Sequence, residues 1–444
     1  MTSTTDHGRP QGMTAFTLIW FGQLISLMGT AMTQFALTIW AWQITGQATA
    51  LALVAFFNFA PRVLFSPVAG ALVDRWNRKL VMMLSDLAAG ISTITILALY
   101  LTNNLQIWHL YVAGAFTGVF QAFQFPAYSA SITLMIPKES YGRADGMLAL
   151  VEFVPEVAAP ILAGILLAVI GIGGVMTIDV VTFLVALGAL LVVHIPQPPE
   201  TEAGREGAGS LLSESLYGFR HIFSRPSLLG LQLVFFAANF TFMACFAILA
   251  PLILARTGSD EVALGTVQSA AGLGGVAGGL AMSAWGGPKR RVLGIVTSMI
   301  ASSLLGQLVM GLGQSLPIWL IAAFMMVFFI PIMDGCNQAI WQAKVPPDIQ
   351  GRVFGSRLLI AQIPGPLGIL IAGPLADFVF EPAMRSGGSL APTLGGVFGA
   401  GSGAGMSVMF VMFALLGVAL FAAAYAARPI RLAESLLPDH NSSA

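Results

Sequence analysis

Three sets of ionisable side chains interrupt stretches of this sequence that are otherwise apolar, and the two acidic sets have the chemistry to hold or release a proton. Glu152 and Glu156, in "LVEFVPEVAAP", stand four residues apart and share one face of a helix. At about 1.5 Å per residue from Asp145 they lie roughly 10 and 16 Å deep. Burial and mutual repulsion both favour a proton on such a pair, so Glu156 and Glu152 are candidate proton carriers. Asp334, in "PIMDGCNQAIWQ", has Asn337 and Gln338 one turn further on and is the second candidate for proton or cation coupling. Arg62, in "FNFAPRVLF", calls for a carboxylate partner, with Glu156 or Asp334 the candidates.

The elements that position these groups are set by composition. Of 444 residues, 57% are hydrophobic and 9% charged, and the mean hydropathy is +0.84, outside the range of soluble domains. Twelve apolar stretches are long enough to cross a bilayer: 15–44, 49–73, 79–102, 106–130, 145–170, 173–194, 228–254, 262–285, 291–312, 316–340, 353–379 and 404–427. They lack the in–out alternation of a barrel, so they are predicted to be helices. The expected fold class is an all-α membrane protein of twelve transmembrane helices in two pseudo-symmetric six-helix bundles. "MTSTTDHGRPQGMT" is too polar and short for a cleaved leader, so the first helix is expected to be retained.

Loop charge sets the orientation. With the N-terminus inside, sixteen Lys and Arg residues fall on the cytoplasmic side, against Arg256 and Arg385 outside. Both termini are therefore expected in the cytoplasm of a multi-pass protein of the cell (inner) membrane. A polar linker at 195–227 divides the chain into an N-terminal bundle, 1–194, and a C-terminal bundle with its tail, 228–444. Within it, Leu212, Leu216, Phe219 and Phe223 have the spacing of a short amphipathic helix. The halves repeat at an offset of 209: "PKESYGRADG" at 137–146 matches "PPDIQGRVFG" at 346–355, and Pro155 pairs with Pro364, Gly70 with Gly279, Trp76 with Trp285 and Gln23 with Gln232. Two parallel six-helix repeats are a transporter plan.

Between spans 2 and 3 the sequence reads "GALVDRWNRK". Gly70, Leu72, Asp74, Arg75, Arg78 and Lys79 fit the pattern Gly-x-Leu-x-Asp-Arg-x-Gly-Arg-Arg/Lys, with Asn77 where Gly is usual. The chain thereby resembles the major facilitator superfamily over essentially its whole length. "FQFPAYSASITLMIPKESYGRADGM", "IDVVTF" and "VPPDIQGRVFG" are similar to its drug- and siderophore-exporter branch, the group of macrolide efflux proteins and the enterobactin exporter. The resemblance implies a cytoplasmic gate at Gly70, Asp74, Arg75, Arg78 and Lys79, with Asp74 set against the helix that begins after "QGRV". Asn77 is expected to keep the turn through its tolerance of a left-handed backbone. The fifth span has the spacing of the antiporter motif, but only Gly146, Pro160 and Gly164 match it, with Pro155 in place of a Gly and Ala159 and Ala163 small.

In this superfamily helices 1, 4, 7 and 10 line the cavity. That makes Gln23, Gln34, Gln124, Asn239, Asn337 and Gln338, with Arg62, the candidate substrate contacts. Asp179 is read as structural, and "GLGGVAGG" at 272–279 as helix packing rather than phosphate binding. The five histidines form no metal cluster, Cys245 and Cys336 lie in spans, and no Walker motif occurs. No cofactor, no metal and no nucleic acid is expected; the energy source is an ion gradient, of protons rather than ATP. The expected function is export of a small amphipathic compound in exchange for protons, by a monomer in membrane lipid. The rivals are an importer, facilitator or lysophospholipid flippase of the same fold, and, in another class, a membrane-embedded enzyme or sensor. The Gly-rich segment 380–403 is expected to be a loose loop.

Overall fold

The computed structural model describes residues 12–136, 141–193, 195, 218–345 and 349–436, and among these no strand occurs. Helix α1 is Gly12–Thr45, α2 Ala48–Arg75, α3 Arg78–Leu101 and α4 Ile107–Met135. Tyr141–Val192 is one helical stretch broken at Gly171, where φ is 65° and ψ −179°. It comprises α5, residues 141–170, and α6, residues 172–192. A left-handed φ favours glycine because a Cβ clashes there, so a single residue makes the junction between the two spans. Then follow α7 Pro226–Thr257, α8 Glu261–Trp285, α9 Arg291–Leu312, α10 Leu316–Lys344, α11 at 350–384 and α12 Ala404–Ala426. Among the described residues, nine helices are long and apolar enough to cross a membrane, two of them covering α5–α6 and α10 as single stretches.

The repeat read from sequence recurs in the helix boundaries. Helices α4 and α10 begin and end 209 positions apart, and α5 and α11 begin 209 apart. The chain forms two compact units: residues 1–40 with 57–207, and residues 41–56 with 208–444.

In the first unit, Ala159 and Ala163 of α5 are fully buried, as small residues at a close helix contact should be. Asn77 has φ −65° and ψ 110°, so it is not left-handed. It is the N-cap of α3, its side chain accepting a hydrogen bond from the Leu80 amide at 3.1 Å. The residue that departs from the family pattern thus starts the next helix. Lys79 Nζ donates to the carbonyls of Leu191 (3.2 Å) and Val193 (2.6 Å), a cation at the C-terminal end of α6 where the helix dipole favours one.

In the second unit, α8 and α10 pack closely. A Cβ on Gly274 or Gly278 would run into the carbonyl oxygen of Phe324 or Phe328, so the glycine-rich segment is a packing surface, as its sequence indicates. The corner at 41–56 is held by Asp377 of α11, whose carboxylate accepts from the amides of Ala48 (3.0 Å) and Thr49 (2.7 Å) at the start of α2.

The segment 380–403 is not the loose loop expected. It contains the helix Ala391–Phe398 and buries Met384 and Phe398 together with Ala404. Glu381 accepts from the amides of Gly403 (3.1 Å) and Met406 (2.9 Å), and Arg256 Nη2 donates to the Phe398 carbonyl at 2.6 Å. The glycines supply turn geometry while the buried carboxylate ties both ends of the loop.

Of the linker, residues 218–223 form a helical turn; Leu212 and Leu216 lie outside the described residues. Phe219 and Phe223 stack at 6.4 Å, whereas Ile222 inserts among Leu228, Trp341, Val345 and Val353. His221 is buried beside it, and burial, followed by the charge of Arg225, lowers its pKa. A histidine depressed in the folded state binds fewer protons than when released, so docking is fully stable above about pH 6.5 and weakens below it. The protection factor of residues 218–223, observed amide exchange divided into the intrinsic rate at the same pH, is expected to fall severalfold between pH 8 and pH 5.5. His221→Leu should remove that pH dependence; an unchanged dependence would show that His221 is not its source.

Candidate functional site

Each unit holds polar side chains within its apolar helices. In the first, Asp86 of α3 is buried, as are Gln23 of α1 and Asp179 of α6. Gln23 Nε2 donates to Asp86 Oδ2 at 2.7 Å and Gln124 Nε2, from α4, to Asp86 Oδ1 at 2.7 Å. The second Gln124 N–H reaches Gln23 Oε1 at 3.1 Å, which closes a triangle. Beside it Asp179 accepts from Thr30 (3.0 Å) and Thr93 (2.9 Å). Gln23 and Gln124 are thus brought together as sequence reasoning grouped them, with their amides directed at a carboxylate it passed over. The missed signal was available: Asp86 is an acid in the middle of the apolar run "LVMMLSDLAAGIS", to which the cost of intramembrane charge applies as much as to Glu156.

In the second unit, Asp334 of α10 keeps open surface although protein surrounds it closely, and Arg357 of α11 is its electrostatic partner. Arg357 Nη1 donates to Gln338 Oε1 at 2.8 Å, and its guanidinium lies 5.2 Å from the Trp341 ring and 5.7 Å from Phe354. Gln232 Nε2 donates to the Arg357 carbonyl at 2.9 Å, fixing α11 to α7 at this level. Asn337 is buried and accepts from Trp341 Nε1 at 3.0 Å, so it orients the aromatic wall. The cation acting on Asp334 is therefore Arg357 and not Arg62. Arg357 always carries its charge, whereas Asp334 can gain or lose one, so a proton on Asp334 switches the net charge of this pair.

The remaining candidates are spread out. Asn239 is half-buried and donates to the Phe235 carbonyl at 3.0 Å on its own helix. Gln34, Arg62 and Glu156 are exposed on α1, α2 and α5, and among the described residues Arg62 makes no hydrogen bond or ion pair. Of the gate motif, Arg78 is half-buried and Lys79 is placed as above; the side chains of Asp74 and Arg75, with Gly70 and Glu152, lie outside those described.

Long apolar helices in two repeated sets, each interrupted by polar groups, define a multi-pass membrane protein of transporter design. Residues 19–369 match the family model of the Major Facilitator Superfamily, and the chain belongs to that family, whose members are transporters and not enzymes. It is 26% identical over 366 residues to macrolide efflux protein A of Streptococcus pyogenes, covering 82% of this chain and 89% of that one. It is 27% identical over 376 residues to the multidrug efflux pump Tap of Mycolicibacterium fortuitum, covering 81% and 88%. Among solved structures, a bacterial homolog of the human lysosomal transporter Spinster superposes with a TM-score of 0.66 at 18% identity, covering 95% of this chain and 99% of that one; this likeness concerns the fold.

Proposed function

We propose that the protein is a proton-coupled exporter of small amphipathic compounds, of the macrolide, drug or siderophore kind, acting by alternating access as a monomer in the cell membrane with both termini cytoplasmic. The observation that carries this reading is the accessible carboxylate of Asp334 beside the fixed charge of Arg357. With Asp334 ionised, the pair is neutral and Arg357 is engaged. A proton taken up by Asp334 leaves a net positive charge over the aromatic walls of Trp341 and Phe354. Proton and substrate then compete for one electrostatic site, which is the requirement for exchange. Export is favoured by the efflux proteins among the relatives. Glu156 is the alternative carrier, and the gate at Asp74, Arg75, Arg78 and Lys79 is the element that would respond.

The test is a toxicity and accumulation panel in a host stripped of its own efflux pumps, with and without a protonophore. Lower accumulation that the protonophore abolishes is the expected result. Higher accumulation would mean import, and lowered accumulation indifferent to the protonophore would remove protons as the driving ion.

A further inference from the structure

We propose that the cavity between Asp86 and Asp179 in the first unit is a binding site for one monovalent hard cation, a proton or a sodium ion. The cavity holds about 20 Å³, room for a single water-sized occupant. Its polar lining is Gln23, Ser26 and Thr30 from α1, Asp86 from α3, Gln121 and Gln124 from α4 and Asp179 from α6.

Charge balance carries the argument first. Asp86 accepts hydrogen bonds from two neutral amides, and Asp179 from two hydroxyls. No basic side chain acts on either carboxylate among the described residues: α1 and α4 bring amides and hydroxyls to the cavity, and the one other ionisable group facing Asp86 is Asp179 itself. Two buried carboxylates line one small cavity and lack a counter-charge among the described residues, which costs several kcal/mol unless a cation joins them. Oxygen atoms from carboxylate, amide and hydroxyl groups are the donors that hard cations prefer.

The internal repeat supplies an independent argument. At the offset of 209, Asp86 corresponds to Ile295 and Gln124 to Met333, while Gln23 corresponds to Gln232. In the second unit Ile295 is buried in an apolar cluster and Met333 packs against it. The fold fills this position with hydrocarbon in one copy and with a hydrogen-bonded carboxylate in the other. Polarity at Asp86 and Gln124 is therefore no requirement of the fold, and its presence in this copy points to an occupant.

The inference stands whether or not transport is proton-driven, and its test is binding. The full chain is purified into lipid nanodiscs and its melting temperature read in two arms at constant ionic strength: sodium replacing choline at pH 8, and pH lowered from 8 to 5.5 in choline. The proposal expects a rise of roughly 3 °C or more in at least one arm, the arm naming the ion. That rise is lost in Asp86→Asn and kept in Asp334→Asn. A wild-type protein indifferent in both arms, or a rise that persists in folded Asp86→Asn, overturns the proposal. Should Asp86→Asn not fold, radioactive sodium binding and the infrared band of protonated carboxyl groups are read on Asp334→Asn alone. Neither bound sodium nor a protonated carboxyl group there is the overturning result, and either one supports the site.

Discussion

Asp334→Asn is expected to abolish proton-driven substrate movement in membrane vesicles, lowering the driven rate about 100-fold, the equivalent of about 2.7 kcal/mol, while the protein remains folded. Asn is close to Asp in shape, and Asp334 has open surface, so the substitution leaves no cavity. What disappears is the ability to switch charge next to Arg357. The amide mimics a permanently protonated state, so exchange of substrate for substrate across the vesicle wall should continue while the response to an imposed pH gradient is lost. Glu156→Gln in parallel separates the two candidate carriers. A fully active Asp334→Asn with an inactive Glu156→Gln would transfer the coupling role to α5. Arg357→Gln should weaken substrate binding more than it alters the pH response, because its guanidinium contacts Gln338, Trp341 and Phe354.

Gly278→Leu carries the second large effect, on the fold itself. A side chain at Gly278 meets the backbone carbonyl of Phe328, and one at Gly274 that of Phe324, so neither can be accommodated by a rotamer change. Helices α8 and α10 must separate, which costs about 3 kcal/mol, the upper end of ordinary overpacking. The control is one residue away: a Cβ at Gly279 meets nothing within 4 Å. Gly279→Leu should melt within a degree or two of wild type, whereas Gly278→Leu should melt several degrees lower or fail to elute as a single species. Equal melting of the two variants would refute the close-packed face. The same scan at Gly275, where Val327 Cγ1 stands 3.2 Å from the added atom, should give an intermediate loss.

Much of this architecture is legible in the sequence because the bilayer sets span length and the repeat sets register. The ends of α4 and α10 follow the 209 offset, and the packing role of "GLGGVAGG" is readable because small residues four apart leave one flat helix face. Interactions across distant helices are less accessible. Asp86 meets Gln23 and Gln124 across 63 and 38 residues, and no local pattern joins three such positions on different spans. Arg357 was visible as a charge in a span, but its pairing with Asp334 depends on how α10 and α11 pack. The segment 380–403 misled for another reason: its glycines resemble a flexible connection, while Glu381 and Arg256, both distant in sequence from the groups they hold, anchor it. Asn77 likewise was read for its backbone tolerance when its side chain was the functional part.

The bond from Lys79 to α6 has a consequence in time. Its acceptors, the carbonyls of Leu191 and Val193, lie 112 and 114 residues downstream. At a synthesis rate of about 5–20 residues per second, Lys79 emerges roughly 6–23 s before they exist. During that interval its ammonium group is available to steer the side on which the turn remains, and only afterwards is it consumed as a closing contact. One residue thus serves biogenesis first and architecture second, and Lys79→Arg and Lys79→Gln, compared for orientation early and for stability late, tell the two periods of its service apart.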